Sequence, residues 1–307
     1  NVDIPPEQMY LYEKNLSPLA YVKASATQEG VSWELNDSPE SLDYELPPLR
    51  VMRLTVKTEG KRRVESLQDI ITQIKAQVDG EALELRSGSE AERLLGLVEE
   101  VSRRDPDIIL TRGDSFSTLQ FLARRALVNQ VLSRFVLGRE PRPFPPSLGQ
   151  GVSYQSYGRV YYRPRSYQLR GRVHIEAENA SIYHDCGLEG LIEVSRTCRM
   201  PPRRVVNTTI GTCMTSLQLY QAVQEKVLIP WKKYEAEAFK TAWELLLADR
   251  GGFIFEPKPG VYDHVGEIDF SSMYPYLMWS RNISPETIGC SCCPDSKLRV
   301  PELDYNI

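Results

Sequence analysis

No stretch of this chain approaches the ~20 consecutive apolar residues of a membrane-spanning helix, and no basic-then-apolar leader opens it, since the first residues read NVDIPPEQMY. A membrane-spanning or signal-led secreted protein is therefore not expected. Histidine is scarce, with His174, His184 and His264 far apart and none paired in sequence with a nucleophile, so no hydrolase triad is legible. Cysteine is sparse too. Cys186, Cys198 and Cys213 stand apart, and Cys290, Cys292 and Cys293 crowd together in CSCC, too tightly for a disulfide framework or a paired set of zinc hooks. The expectation is a reduced, cytoplasmic protein with the CSCC cluster on a solvent loop. There is no internal repeat or low-complexity segment. The chain also lacks an initial Met, which suggests a piece of a longer or processed protein.

An excess of positive charge is missing as well. The net charge is −4, which excludes a protein that coats nucleic acid by charge alone. The charge is unevenly spread, however. Residues 1–48 hold nine acids against two lysines, so the remainder sums to +3. Between Arg139 and Arg172 there are seven arginines and one acid, Glu140.

What is present reads as an α/β protein of about two domains at the usual ~150 residues each. Residues 1–48 show little periodicity and read as an acidic approach segment. LRVMRLTVKT (49–58) alternates apolar and polar residues as a half-buried strand does, and ITQIKAQVDGEALEL alternates on both sides of Asp79-Gly80, a two-residue hairpin signal. Ser89 and Glu92 form a capping box before a helix whose apolar face carries Leu94, Leu95, Val98 and Val101. DIILT (107–111) is a continuous apolar run suited to a central strand, and a helix is expected over about 117–135. Strand, hairpin, helix, strand and helix predict a mixed sheet. The Arg/Tyr-rich stretch after the loop at 141–151 predicts two strands around Pro164. Helices are expected near 186–200, 214–225 and 235–249, with MPPRRVVNTTIGT irregular between the first two.

The last third carries a longer signature. GGFIFEPKPGVYDHVGEIDFSSMYPYLMWSRNISPETI (251–288) resembles the family B DNA polymerases of the archaeal kind, in which a Gly-Gly element precedes the first palm motif, D-x-x-S-L-Y-P. The counterparts are Gly251-Gly252, then Asp269, Ser272, Met273, Tyr274 and Pro275. The segment DIPPEQMYLYEKNLSPLAYV near the start resembles the link between the N-terminal and exonuclease domains of such enzymes. The resemblance implies an acidic linker or end of an N-terminal domain over 1–48. An RNase H-like exonuclease domain with a mixed sheet would follow over 49–234, then a connecting helix and the start of the palm over 235–307.

The resemblance also implies site residues. Asp269 would be a catalytic carboxylate that bridges two Mg²⁺ ions held about 3.5–4 Å apart, because phosphoryl transfer needs the attacking and leaving oxygens stabilised. Carboxylate oxygens are the hard ligands that Mg²⁺ prefers. Phe270, Ser272 and Tyr274 would meet the incoming deoxynucleoside triphosphate, with the Tyr274 ring leaving no room for a ribose 2′-OH. Asp269 is expected to end a strand, VGEID, and Tyr274 to stand on the first turn of a helix that buries Met273, Leu277 and Met278. Primer-template DNA is the implied partner, with Gly251, Gly252, Arg159, Tyr161, Arg163 and Arg165 as DNA contacts. From the residues alone, the Arg/Tyr stretch could equally be a solvated hairpin: guanidinium groups neutralise phosphates and rings stack on unpaired bases, but a polar strand face looks the same.

Departures from the pattern are informative. The first exonuclease motif, Asp-x-Glu, falls on Thr55 and Lys57, and the last Asp of the second motif falls on Ser117. Such replacements imply a domain that keeps the fold and loses the metal ligands, as in a divergent branch with a disabled 3′–5′ exonuclease. Glu176 and Glu178 are either residual ligands or structural acids, the latter reading being preferred. The second palm motif, Asp-Thr-Asp, and the fingers lysine do not occur before the chain closes at VPELDYNI. This chain alone is therefore expected to be inactive as polymerase and exonuclease, with a C-terminal polymerase half as a missing partner. A non-catalytic DNA-binding or replisome scaffold is the alternative.

Overall fold

A computed structural model of the protein describes residues 4–28, 30–38, 41, 43–59, 68–112, 117–145, 151–156, 159–163, 167–229, 239–248, 252, 254–284, 287–288, 290–292 and 294–299. The chain divides into two compact units, Asn1–Trp231 and Lys232–Ile307.

The first unit is built on a five-stranded sheet in the order β5-β4-β3-β6-β9, from β3 (Val51–Thr58), β4 (Ile71–Val78), β5 (Glu81–Leu85), β6 (Ile108–Thr111) and β9 (Val173–Glu176). β4 runs antiparallel to β3 and β5, whereas β6 is parallel to both β3 and β9, so the sheet is mixed. This is the RNase H-like α/β arrangement expected from the sequence. Asp79 and Gly80, both at positive φ (50° and 84°), make the β4–β5 turn, as a two-residue hairpin demands. The helix α2 (Glu90–Arg104) starts where the capping box places it: Ser89 accepts the Glu92 amide while the Glu92 carboxylate accepts the Ser89 amide.

Alternation along the strands sorts side chains onto two cores. Met52, Leu54, Ile74 and Ile109 pack with Leu94 and Leu97 of α2 and with Leu119 and Leu122 of α3 (Thr118–Val128). On the other face Ile108, Leu110 and Ile175 pack with Leu191 of α4 (Ser181–Thr197), Val205 of α5 (Pro202–Val205) and Cys213 of α6 (Ile210–Gln224). Buried on both faces, β6 is apolar almost throughout, as a central parallel strand requires. A backbone break at Gly187 (φ 69°) interrupts α4, which is why helical patterning is legible only from about residue 186. The stretch expected to be irregular contains α5 and the first turn of α6, where Thr209 caps the Thr212 amide.

The described residues of the segment 1–48 hold more structure than their pattern suggests. They form α1 (Pro6–Glu13) and a hairpin of β1 (Val22–Thr27) with β2 (Gly30–Leu35). Their acids and polar groups are held by a basic run 150 or more residues away. Arg196, fully buried, donates to Asp37 at 3.0 Å and lies on the Tyr44 ring; Arg203 reaches Glu7 at 2.6 Å; Tyr12 and Gln8 bond to Ser216 on α6.

In the second unit, α7 (Ala242–Ala248) and α8 (Met273–Ser280) are the described helices. Among the described residues no helix is long and apolar enough to cross a membrane.

Candidate functional site

In the first unit the carboxyl ends of the parallel strands β3, β6 and β9 line up at one edge of the sheet, the edge where α/β proteins commonly place ligands. The pairing register puts Leu54, Thr111 and Glu176 in one row across it. Residues in one row share a face, so Glu176, Thr111 and His174 belong to the α2–α3 side. Thr55 and Lys57, one and three positions on, belong to the other side and are exposed. The strand register shifts between Lys57 and Thr58. Three positions that the resemblance groups as one degenerate centre are thus split: Thr55 and Lys57 share a face, while Ser117 is fully buried at the start of α3 beside Glu176.

Glu176 is largely buried and its carboxylate accepts the backbone N–H of Thr118. Ser117, the N-cap of α3, makes no capping bond of its own, so Glu176 caps this helix from the neighbouring strand. Burial pushes the Glu176 carboxyl above its ordinary pKa, opposed by the bond to the Thr118 amide. Next to it, His174 is held near neutral form: burial brings its pKa down to about 4, and its Nε2 lies 2.9 Å from Thr111 Oγ1. Glu178 is exposed. The sequence offers Glu176 as ligand or structural acid, and the structural role is the one its bonds fit. The sequence carries no signal for that, since Ser117 is itself a favoured N-cap residue and its missing bond is seen only in the structure.

Part of the basic stretch is held by nearby acids. Arg172, 4% exposed at its side chain, donates to Asp105 at 2.7 Å and to the Leu137 carbonyl; Arg139 bridges Asp105 and Asp107 at 2.9 and 2.7 Å. These contacts hold Asp105 down at about 2. Arg170 and Arg142 face Glu140 at 3.3 and 3.6 Å. Among the described side chains, Arg139, Arg142, Arg170 and Arg172 are therefore engaged in ion pairs, two of them with acids more than 30 residues upstream that composition cannot reveal. Arg159, Tyr161 and Arg163 stand on β8 (Arg159–Arg163), which pairs antiparallel with β7 (Val152–Ser156), Tyr154 opposite Tyr161. Arg165 lies outside the described residues. The strands expected on either side of Pro164 both precede it, because a proline lacks the N–H a ladder needs.

In the second unit Asp269 and Phe270 are exposed and directly precede the turn into α8. Tyr274 is the second residue of α8 and 69% exposed, so its place on the first turn is as expected. Two expectations fail. VGEID is not a strand, and Met273, Leu277 and Met278 are 41%, 43% and 49% exposed. A strand has no hydrogen bonds of its own and needs a neighbour; no described segment of this unit pairs with 265–269. Among the described residues no sheet underlies α8, and none of its residues is buried. Ser272, at φ 49°, turns the chain into α8 without a side-chain capping bond. Gly252 has φ 76°; Gly251 and Cys293 lie outside the described residues, and the Cys290 and Cys292 sulfurs are 2.8 Å apart.

Among the described residues no group of three or more His, Cys, Asp or Glu side chains could hold a metal ion. Asp269 alone does not make a Mg²⁺ site, which needs several oxygen ligands. A cavity of about 320 Å³ in the first unit opens at the opposite end of the sheet, between the starts of β6 and β9 and the apolar side of α4, lined by Leu19, Leu49, Leu188 and Leu191.

Comparison with known proteins gives a consistent picture. Residues 200–306 match the family model of DNA polymerase family B. DNA polymerase 2 of Saccharolobus solfataricus is 33% identical over 126 residues, covering 41% of this chain and 19% of that protein. DNA polymerase 2 of Aeropyrum pernix is 24% identical over 353 aligned positions, covering 93% of this chain and 42% of the relative. The solved family B DNA polymerase from the hyperthermophilic archaeon Pyrobaculum calidifontis superposes with a TM-score of 0.64 at 21% identity, over 99% of this chain and 46% of that one. The chain thus spans less than half the length of each of these proteins.

Proposed function

This chain is a relative of the archaeal family B DNA polymerases, and from that premise we propose that it contributes to template-directed DNA synthesis in the cytoplasm with its exonuclease centre disabled. The observation that carries the reading is the motif around Asp269, Ser272 and Tyr274, which falls inside the span matching the polymerase family. Residues 49–234 act as the exonuclease-like domain and 235–307 as the start of the palm. Asp269 supplies one carboxylate to a Mg²⁺ site completed by a second carboxylate pair from a further polymerase segment, and Tyr274 excludes ribonucleotides. Gly251, Gly252 and the β7–β8 arginines guide primer-template DNA.

Loss of exonuclease activity is supported by chemistry at the strand ends. Lys57 brings a cation where a cation would have to bind, Thr55 offers a hydroxyl where a carboxylate is needed, and Glu176 is occupied in capping α3. Two tests separate the parts of the proposal. Purified protein incubated with a labelled single strand and Mg²⁺ or Mn²⁺ should leave the 3′ end intact; digestion that survives repurification and stops in Glu176→Gln overturns the disabled centre. Mixed with a polypeptide that carries Asp-Thr-Asp and the fingers lysine, the chain should support primer extension that Asp269→Ala abolishes. Extension unaffected by Ala at 269 removes the catalytic role of this carboxylate, and DNA binding with no extension at all favours the scaffold alternative.

A further inference from the structure

The cysteines that neither site uses include one pair placed for chemistry. Cys198 ends α4 as its C-cap, and Cys213 lies one turn into α6. Both are buried in the same apolar cluster, at 5% and 0% exposure, and both are free thiols. Backbone geometry brings them together independently of the thiols. Ser216 Oγ donates to the Cys198 carbonyl at 2.6 Å. Residues three apart on a helix are surface neighbours, with Cβ atoms about 5–6 Å apart, so Cys213 shares the face of α6 that Ser216 presents to Cys198. The two thiols act on each other's ionisation, which draws Cys213 down in pKa and Cys198 up.

We propose that Cys198 and Cys213 are a thiol pair that closes to a disulfide, stapling the end of α4 to α6. The oxidant class is a peroxide. The Cys213 thiolate attacks one peroxide oxygen, the O–O bond breaks, and Cys213 becomes a sulfenic acid while the departing oxygen leaves as water. The Cys198 sulfur then attacks the sulfenic sulfur; the S–S bond forms, and the second oxygen leaves as water with the protons given up by the two thiols. Two electrons pass from the thiols to the peroxide, which is reduced to two waters.

The consequence follows from what lies between the two cysteines. The intervening segment carries Arg199, Arg203 and Arg204, which bond to Asn15, Glu7 and Gln8 of the N-terminal segment. Closing the short loop between Cys198 and Cys213 restricts the unfolded chain and fixes the platform on which α1 is seated. Oxidation therefore stabilises the first unit and tightens the hold on the N-terminal segment.

The test uses the full chain with Cys186, Cys290, Cys292 and Cys293 replaced by Ser, so that Cys198 and Cys213 are the remaining thiols. Hydrogen peroxide is added just below the melting transition. The expected result is loss of both titratable thiols together, a mass decrease of about 2 Da for the two hydrogens removed, a higher melting temperature, and slower proteolysis of residues 1–48, all reversed by dithiothreitol. The unsubstituted protein, alkylated and digested without reduction, should yield one cross-linked peptide joining the two positions, so the result does not depend on the substituted chain folding. Two thiols that survive this treatment, or a peptide map pairing either cysteine with a different partner, overturn the proposal.

Discussion

The carboxylate of Glu176, at the end of β9, accepts the backbone N–H of Thr118, the first residue of α3, 58 positions earlier in the chain. A helix start leaves its first amides without partners and carries partial positive charge. A buried acid from the adjacent strand answers both. This one bond gives Glu176 a structural role at the start of α3, where Ser117 makes no cap of its own.

Burial raises the Glu176 pKa, and the sign of the consequence is fixed. The folded state favours the protonated form, so this group's contribution is fullest below the ordinary carboxylate range and is lost as pH rises through the raised pKa. Glu176→Gln keeps an acceptor for the Thr118 amide and removes the charge. It should melt above the parent at pH 7, with the difference vanishing near pH 4. Thermal melts at the two pH values check it; a variant that melts lower at pH 7 shows that the ionised cap outweighs its burial.

Glu90 and Arg125 form an ion pair at 2.5 Å with both side chains 7% exposed, and Glu90 also accepts the Ile71 amide and the Asn129 side chain. Glu90→Ala leaves a buried guanidinium without its partner and should cost about 3–5 kcal/mol in chemical denaturation. The double change Glu90→Leu with Arg125→Met removes both charges and should cost markedly less. Equal losses from the two variants would show that the hydrogen bonds to Ile71 and Asn129, rather than the stranded charge, dominate.

The β7–β8 segment is tested by salt. Each phosphate neutralised by an arginine releases counterions, which lowers the slope of log K against log salt by about one when the contact is removed. Replacing Arg163 and Arg165 by Ala should flatten the slope for primer-template binding by about two on that basis. Arg172→Ala should instead lower the melting temperature, since that side chain is held by Asp105 and two carbonyls. A slope unchanged in the double variant assigns the hairpin to plain solvent exposure.

Local chemistry made much of the first unit readable from its residues. The capping box at Ser89 and Glu92, the Asp79-Gly80 turn and the alternation in LRVMRLTVKT each act over a few residues, and each sits where its pattern places it. The polymerase signature was likewise legible because it is a continuous motif. What the chain could not declare was anything settled between distant segments. Arg139 and Arg172 look like free cations in a basic run, yet their carboxylates arrive from 105 and 107 only when β6 and β9 align. The N-terminal 48 residues look unstructured because their partners, Arg196, Arg203 and Ser216, lie on helices that have yet to form around them. The strand expected at VGEID follows the same logic in reverse. The resemblance implies a strand there, but the hydrogen bonds of a strand belong to its neighbour, and the tertiary structure of the described residues gives it none.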